Sequence, residues 1–194
     1  MMRQTLRQWS TITTILLAGC SSSPATKIFT IGFVPPQTAR PAVLRTGSVI
    51  AVGAVRMPRE FDRTEVVTPG LAHELKVDDF SHWGAPVAEL VRRALVQDMS
   101  ARMPGRQVVP ADLAGLAFDS LVTVDVLSIS EGNGRMLVDA DWVISNADGS
   151  RRRLNSARLS VISAGNGSAA TATDITAVVA QMADEIVAEL DPRP

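Results

Sequence analysis

The sequence predicts an α+β fold, a two-layer sandwich in which two amphipathic helices cover one face of a mostly antiparallel sheet. One observation is a run of three long strand candidates at residues 119–131, 135–145 and 151–163, joined by turn-forming Gly, Asn and Asp residues. The other is a pair of apolar stripes with helical spacing, near residues 86–103 and 174–190. No internal repeat interrupts this order of elements.

The N-terminal half contributes shorter strand candidates. Residues 27–34 alternate loosely and are rich in β-branched and aromatic side chains, and residues 48–55 form an apolar run that we expect to be buried on both faces. Residues 65–68 and 73–78 are weaker strands joined by a Pro-Gly turn, which predicts a hairpin. A short strand at residues 107–109 follows the first helix candidate.

The first helix is supported by apolar residues at three- and four-residue spacing and by a polar opposite face. A proline suits its first turn, where the missing N–H is not needed. The apolar stripe comprises Val87, Leu90, Val91, Ala94, Leu95 and Met99, and the polar face comprises Glu89, Arg92, Arg93 and Gln97.

The middle strand of the predicted meander alternates strictly, which is typical of an antiparallel strand with one face on a core and one face in water. Its apolar positions are Met136, Val138, Ala140, Trp142 and Ile144, and its polar positions are Asp139, Asp141 and Ser145.

The second helix is predicted to begin at Asp174. We expect residues 164–173 to form a mobile connection, and Thr171 with Asp174 resembles a capping box. The apolar stripe of this helix comprises Ile175, Val178, Val179, Met182, Ile186 and Leu190.

The composition excludes several classes of function. The 194 residues carry 19 Lys and Arg against 20 Asp and Glu, so nothing indicates nucleic-acid binding, which relies on an excess of basic charge. The single cysteine excludes an intrachain disulfide and a four-thiolate metal site, and two histidines exclude a three-histidine site. We expect no metal or other cofactor.

The first twenty residues have the pattern of a bacterial lipoprotein signal. Arg3 and Arg7 precede a neutral-to-apolar stretch at residues 9–17, which is too short to span a bilayer and fits the core of a signal peptide. The small residues Ala18 and Gly19 that follow let the chain enter the groove of a peptidase, and the Cys20 thiol can form a thioether to a diacylglyceryl group. The alternative is a plain signal peptide with an incidental cysteine. The lipobox consists of Leu17, Ala18, Gly19 and Cys20.

The lipobox sets the expected division of the chain. Residues 1–19 are the signal peptide, residues 20–26 are the acylated cysteine and a short polar tether, and residues 27–194 form a single domain. Two or three acyl chains on Cys20 would give lasting membrane attachment, because one chain binds only marginally. Ser21 stands where an Asp would favour retention in the inner membrane, so the sequence favours the outer membrane.

Few residues have the spacing of a catalytic site. His73 and His82 lack the one-turn spacing of a helical zinc motif, so we interpret them as part of a solvated polar hairpin. Asp139 and Asp141 lie two apart, as some catalytic carboxylate pairs do, but the solvent face of a strand has the same pattern. Phosphate-loop and serine-nucleophile patterns are absent. The sequence therefore predicts a protein that is not an enzyme.

Contacts with a partner are the remaining candidates. Phe61, Phe80 and Trp83 fall in segments that we expect to be loops, where an exposed aromatic ring can anchor a partner protein, although apolar residues more often belong to a core. Residues 151–153 are three arginines at the start of a strand. We interpret them as a solvated sheet edge, and contact with lipid headgroups or an acidic partner is the alternative.

Four segments together resemble the PqiC family of ABC-type transport auxiliary lipoproteins. Residues 29–31 (FTI) are similar to the family's Tyr-x-Leu near the mature start, and residues 52–63 (VGAVRMPREFDR) resemble its strand, Pro and Leu/Phe-Asp-Arg segment. Residues 65–68 (EVVT) resemble its Ile-Val-Thr, and residues 83–87 (WGAPV) resemble the Trp-x-x-Pro-Leu that opens its long helix. The order and spacing of these pieces carry the resemblance across the mature chain.

The chain departs from the family pattern at three positions. Phe29 replaces the usual Tyr, Pro69 stands where an Arg is common, and Ala85 replaces a common Glu. A partner contact that uses these polar positions in the family would differ in this chain.

The resemblance implies a periplasm-facing lipoprotein of the outer membrane with a fold similar to the N-terminal domain of TolB. It implies a non-enzymatic docking subunit that works with an MCE-domain protein of a lipid transport system and supports membrane integrity. A homo-oligomeric ring is compatible with such a role, and no catalytic residues come with the family.

Two alternatives remain open at this point. One is a lipoprotein activator of a cell-wall synthase with a TolB-like fold. The other is a lipoprotein hydrolase, whose activity would have to depend on His73, His82, Asp139 or Asp141.

Overall fold

The computed structural model describes residues 24–36, 48–113 and 115–191. Within them the chain forms eight β-strands and two α-helices, and the predicted α+β class is confirmed. In chain order these elements are β1 (Lys27–Phe29), β2 (Val49–Arg56), β3 (Glu65–Pro69), β4 (Leu75–Trp83), α1 (Val87–Arg102), β5 (Gln107–Pro110), β6 (Ser120–Gly132), β7 (Arg135–Asn146), β8 (Arg152–Ile162) and α2 (Ser168–Leu190).

Five of these strands form the larger sheet, in the order β5-β2-β6-β7-β8. The strands β6, β7 and β8 pair antiparallel, as the predicted three-stranded meander requires. The β6–β7 turn is tight, because Asn133 at φ 54° and Gly134 at φ 69° adopt the positive values that a type I′ turn needs. Strand β2 lies parallel to both β5 and β6, so this sheet is mixed.

The inner face of the larger sheet is the face predicted from the alternation in β7. Its buried side chains pack with the apolar stripes of α1 and α2 in one hydrophobic cluster. Strand β2 is buried along most of its length, as its continuous apolar run predicts. The buried β7 residues are Met136, Val138, Ala140, Trp142 and Ile144.

Strand β8 is the edge of the larger sheet. Arg152 and Arg153 begin this strand and are exposed, as the interpretation of a solvated edge expects. Further along, the outward amide of Ser160 donates a hydrogen bond to Gln181 Oε1 on α2 at 3.1 Å. The helix side chain thus satisfies one donor of the edge, which leaves fewer groups free to pair with another chain.

The other three strands form a smaller sheet, in the order β1-β4-β3. Strands β3 and β4 form the predicted hairpin, and a 3-10 turn at Leu71–His73 connects them. Strand β4 continues to Trp83, past the end predicted at residue 78. The extension follows from the parallel pairing of β1 with residues 81–83, a contact between distant parts of the chain.

Strand β1 is shorter than predicted. It ends at Phe29, so the prediction of a strand over residues 27–34 is wrong beyond that residue. The following backbone leaves the smaller sheet and bonds to side chains of the two helices instead.

Helix α1 agrees with its predicted stripe, whereas α2 begins earlier than predicted, at Ser168. The expected connection over residues 164–173 is therefore wrong in its second half. Alanine in this stretch favours a helix. Thr171, which lies inside the first turn, shares a hydrogen bond with Thr68 of β3 at 2.8 Å. This contact with the smaller sheet holds the first turn in place.

Asp174 does not cap the helix. Its carboxylate accepts hydrogen bonds from Ser163 Oγ at 2.8 Å and from the Ala164 amide at 2.7 Å, so it holds the end of β8 against α2. The residue is buried, and these two donors satisfy it there.

One hydrophobic cluster of the described residues joins both sheets and both helices. The smaller sheet contributes Val66 and Trp83, the larger sheet contributes Val122, and the helices contribute Leu95 and Ile186. The smaller sheet is therefore held to the rest of the fold by apolar burial.

Candidate functional site

The predicted lipidation site lies outside the described residues. The lipobox and the signal peptide over residues 1–19 precede residue 24, where the described chain begins, so acylation stays a prediction. The structure shows instead how the chain that follows the lipobox enters the domain. We call residues 24–36 the entry segment and treat it as the candidate functional site. The lipobox residues are Leu17, Ala18, Gly19 and Cys20.

The entry segment starts exposed at residues 24–26 and then becomes strand β1. In the parallel pairing with β4, Phe29 lies opposite Trp83. The Gly84 amide donates a hydrogen bond to the Phe29 carbonyl at 2.8 Å. A Cβ at Gly84 would lie 3.4 Å from Ile28 Cγ2, so the glycine permits this close approach of the two chains.

Beyond β1 the entry segment crosses both helices. The Gly32 amide donates to Thr176 Oγ1 of α2 at 3.1 Å. The Val34 amide donates to Asp98 Oδ1 of α1 at 3.2 Å, and the Val34 carbonyl accepts from Arg102 Nη1 at 3.1 Å. Side chains of α1 therefore satisfy both backbone polar groups of Val34, and the entry segment is part of the folded domain.

The two side chains that bind the Val34 backbone form a buried ion pair. Arg102 Nη1 lies 2.7 Å from Asp98 Oδ1, and Arg102 Nε lies 2.8 Å from Asp184 Oδ1 on α2. Asp98 and Arg102 are buried, whereas Asp184 is largely exposed. The arrangement thus ties α1, α2 and the entry segment together.

The electrostatics of this pair follow from its burial. Burial raises the pKa of the Asp98 carboxyl, although the Arg102 charge acts in the opposite direction. Burial alone would lower the pKa of Arg102, but the Asp184 hydrogen bond and the two carboxylate charges outweigh it, so that this pKa is raised. Asp98 Oδ2 is buried without a hydrogen-bond partner. Arg102 therefore remains charged beside a carboxylate that is incompletely compensated.

Sequence analysis missed this ion pair. Asp98 and Arg102 continue the three- and four-residue spacing of the apolar stripe beyond Leu95, and they are one turn apart. Opposite charges at that spacing on an otherwise apolar helix face are the signal that would have found it.

A groove of about 290 Å³ lies between the β3–β4 hairpin and the start of α2. Its lining includes Leu71, Asp78, Glu131 and Ser168. Asp78 accepts hydrogen bonds from Ser81 Oγ at 2.7 Å and from Ser168 Oγ at 2.8 Å, and these bonds lower the pKa of its carboxyl. The groove therefore uses its polar groups to join the hairpin to the helix.

The three aromatic residues considered for partner contact have different surroundings. Phe61 and Trp83 are buried in the hydrophobic cluster, and Trp83 lies on a strand where a loop was expected. Phe80 also lies on β4, and it is 44% exposed. Contact with a partner stays a prediction, and Phe80 has the accessible ring.

Asp139 and Asp141 share the outer face of β7, as the alternation predicts. Arg158 Nε donates to Asp139 Oδ1 at 2.7 Å, and this hydrogen bond lowers the pKa of the Asp139 carboxyl. Ser156 Oγ donates to Asp141 Oδ1 at 2.5 Å. Each carboxylate is thus bound to a neighbour on β8, an arrangement that stabilises the sheet.

The two histidines lie on the smaller sheet and its turn. His82 is part of β4, and His73 ends the 3-10 turn before it. Over residues 24–36, 48–113 and 115–191, no group of three or more His, Cys, Asp or Glu residues could hold a metal ion. Neither of the helices described there is long and apolar enough to cross a bilayer.

A family comparison defines the class of protein to which this α+β domain belongs. The chain belongs to the family described as ABC-type transport auxiliary lipoprotein component, whose model matches residues 29–187. The match runs from the end of β1 into the last turns of α2. A comparison with curated proteins finds no match.

Solved structures show the same fold at low sequence identity. The crystal structure of an uncharacterised protein aligns with a TM-score of 0.69 and 15% identity, covering 87% of this chain and 100% of the other. Protein XCC0632 from Xanthomonas campestris aligns with a TM-score of 0.63 and 14% identity, covering 86% and 94%. At these identities the similarity concerns the fold.

Proposed function

We propose that this protein is a periplasm-facing lipoprotein of the outer membrane, acting as a non-enzymatic docking subunit of an MCE/ABC-type intermembrane lipid transport system that supports membrane integrity. Family membership supports a role in transport. The lipobox that ends at Cys20 supports attachment to a membrane, and Ser21 after it supports the outer membrane.

The observation that supports this proposal most is that the entry segment is bound to both the smaller sheet and α1. Strand β1 begins at Lys27, only seven residues after Cys20, and its parallel pairing with β4 joins it to the smaller sheet. The contacts of Val34 with Asp98 and Arg102 then join the same segment to α1. A lipid on Cys20 would thus hold the folded domain at one defined place, as a docking subunit requires.

The attachment requires one covalent group and no other cofactor. The Cys20 thiol forms a thioether to a diacylglyceryl group, and cleavage before Cys20 exposes an amine that accepts a further acyl chain. Two or more chains give stable attachment, whereas a single chain binds reversibly. The Cys20→Ser variant should remain unprocessed and leave the outer-membrane fraction. Wild-type-like fractionation of that variant would contradict the anchor.

The proposed partner is an MCE-domain protein. Detergent-extracted wild-type lipoprotein, purified through a C-terminal tag, should bring this protein with it in mass spectrometry of the eluate. The control is the Cys20→Ser chain, which should lose the partner if docking requires the membrane. Recovery of a cell-wall synthase without any MCE protein would instead support the synthase-activator alternative. The native mass of the eluate would test a homo-oligomeric ring.

The proposal assigns no catalytic residue. The Asp139 and Asp141 carboxylates are bound to Arg158 and Ser156 across the β7–β8 pairing, which accounts for their place in the sheet. A hydrolytic activity that copurifies with the protein and disappears in the Asp139→Asn or Asp141→Asn variant would contradict a non-enzymatic role.

A further inference from the structure

The smaller sheet has one face whose residues can be identified from the strand pairing. Residues directly opposite one another in paired strands point to the same face of a sheet. Ile28 of β1 lies opposite His82 of β4, and Glu65 of β3 also lies opposite His82. Side chains alternate along β3, so Val67 shares this face with Glu65.

A bulge in β4 brings the hairpin onto the same face. Val67 lies opposite Val77, which places Val77 on the face of His82. In a regular strand Val77 and His82 would point to opposite faces, because their positions in the sequence differ by five, an odd number. The register shift between them removes that difference. Leu75, two positions before Val77, also lies on this face.

Several apolar side chains of this sheet are exposed, whereas Val67 on the same face is buried, and Glu65 and His82 there are polar. Ile28 is 75% exposed, Leu75 is 41% exposed and Val77 is 42% exposed. Leu71, in the turn that joins β3 to β4, is 70% exposed. We call Ile28, Leu75 and Val77, together with the exposed Leu71 of the adjacent turn, the small-sheet face. Trp83, on the opposite face of the same sheet, is buried in the core. Exposed apolar side chains concentrated on one sheet can form an interaction surface.

The tether identifies what lies nearest to this face. Cys20 precedes Lys27, the first residue of β1, by seven positions. A fully extended chain spans at most about 3.6 Å per residue, so the sulfur-bearing residue lies within roughly 25 Å of the smaller sheet. Residues 24–26 are exposed and leave the domain at β1. A bilayer holding a lipid on Cys20 is therefore close to the small-sheet face.

We propose that the small-sheet face contacts the leaflet in which the Cys20 lipid is embedded, with Ile28, Leu71, Leu75 and Val77 at the boundary between headgroups and acyl chains. This inference rests on the proposed acylation of Cys20. The lipid brings the face to the membrane, and burial of the apolar side chains then fixes the orientation of the domain. The smaller sheet faces the bilayer, and the far end of the larger sheet points into the periplasm.

Site-specific fluorescence on the whole lipoprotein tests this orientation. Acylation converts the Cys20 thiol to a thioether, so a cysteine introduced elsewhere is the single reactive thiol. The Val77→Cys lipoprotein, labelled with an environment-sensitive fluorophore, is reconstituted into phosphatidylethanolamine and phosphatidylglycerol vesicles with brominated acyl chains. We expect a blue shift and at least about twofold quenching, because such faces enter the bilayer by about 5–10 Å. The Leu71→Cys variant repeats the measurement at an exposed position of the turn.

Leu154→Cys is the matched control. Leu154 is an apolar β8 residue with 67% exposure, similar to that of Leu71. The hairpin approaches the other end of the larger sheet, where Pro69 and Ser163 line one small cavity. Leu154 is about 26 Å from that end at roughly 3.3 Å per residue along β8. A label there should stay unquenched in the same vesicles.

The outcomes separate this inference from the proposed function. Lipoprotein that floats with vesicles, with quenching at residues 71 and 77 and none at residue 154, supports both. Flotation with equal, weak quenching at all three positions overturns the membrane contact and leaves the lipid anchor intact. Failure of the wild-type lipoprotein to float overturns the anchor and this inference with it. If the label at residue 77 is shielded from solvent only when a partner protein is added, and not by the vesicles alone, the face binds that partner. This result overturns the membrane contact.

Discussion

The carboxylate of Asp98 and the guanidinium of Arg102 lie one turn apart on α1, with 2.7 Å between Oδ1 and Nη1, and together they hold both backbone polar groups of Val34. A buried ion pair of this kind adds little net stability by itself, because desolvation offsets the attraction. Its value here is positional, since the pair fixes where the chain that follows the lipobox crosses α1.

Removal of Arg102 should be strongly destabilising. Arg102→Ala leaves the buried Asp98 charge without its partner, and we expect a loss of about 3–5 kcal/mol in the free energy of unfolding. Urea titration followed by tryptophan fluorescence measures it. Arg93→Ala is the control, because the exposed Arg93–Glu89 pair on the same helix should be worth under about 0.5 kcal/mol. Equal effects of the two substitutions would contradict the structural role of Arg102.

The pH dependence of stability should report the raised pKa of Asp98. An unfolded aspartate titrates near pH 3.9, and burial places the folded-state pKa above that value. Between the unfolded-state and the folded-state pKa, the folded chain therefore keeps a proton on Asp98 that the unfolded chain has lost. Stability relative to the Asp98→Asn variant should fall as the pH rises from about 4 through the folded-state pKa, and should be level above it. Urea unfolding of the wild-type protein and of the Asp98→Asn variant at several pH values measures this difference in stability. A difference that grows as the pH rises over that range would disprove the prediction.

Gly53 should be required by the close approach of β2 and β6. A Cβ at this position would lie 2.9 Å from Thr123 Cγ2 and 3.2 Å from Leu121 Cδ1. Gly53→Ala should cost about 1–3 kcal/mol through overpacking. Thr123→Ser removes the nearer methyl group, so the double variant should recover part of the loss. Strictly additive effects in this double-mutant cycle would show that the clash is not the cause.

Phe80 and Trp83 should separate surface contact from core packing. Trp83→Ala removes a buried side chain and should cost about 3–5 kcal/mol in the free energy of unfolding. Phe80→Ala should cost about 1 kcal/mol or less, because the residue is already 44% exposed. Purification of tagged Phe80→Ala lipoprotein then tests its predicted contact. A normal yield of the partner protein would argue against that contact.

The regular parts of the fold could be predicted because local patterns determine them. The alternation from Met136 to Ile144 and the Gly-Asn-Gly turn before it identify the meander without reference to the rest of the chain. The stripe of α1 is equally local. In both cases each residue's preference agrees with the packing of the element.

The parts that were missed depend on contacts between distant segments. Strand β4 reaches Trp83 because β1 pairs with it, and α2 begins at Ser168 partly because Thr171 meets Thr68 of β3. The opposite charges of Asp98 and Arg102 are visible in the sequence of α1, but their contact with Val34 is not. Such contacts leave little trace in single-sequence periodicity.

The parallel alignment of β1 with β4 also has a mechanical consequence. Lys27–Phe29 runs parallel to Ser81–Trp83, so a force directed back along β1 would act along the strand axis. Hydrogen bonds across the two strands then share the load at the same time, and they do not open one after another as in an unzipping hairpin. The hydrogen bonds of Val34 with Asp98 and Arg102, further along the chain, would have to break after them. With the lipid anchor proposed for Cys20, a pull on the tether would therefore be resisted first by this strand pairing.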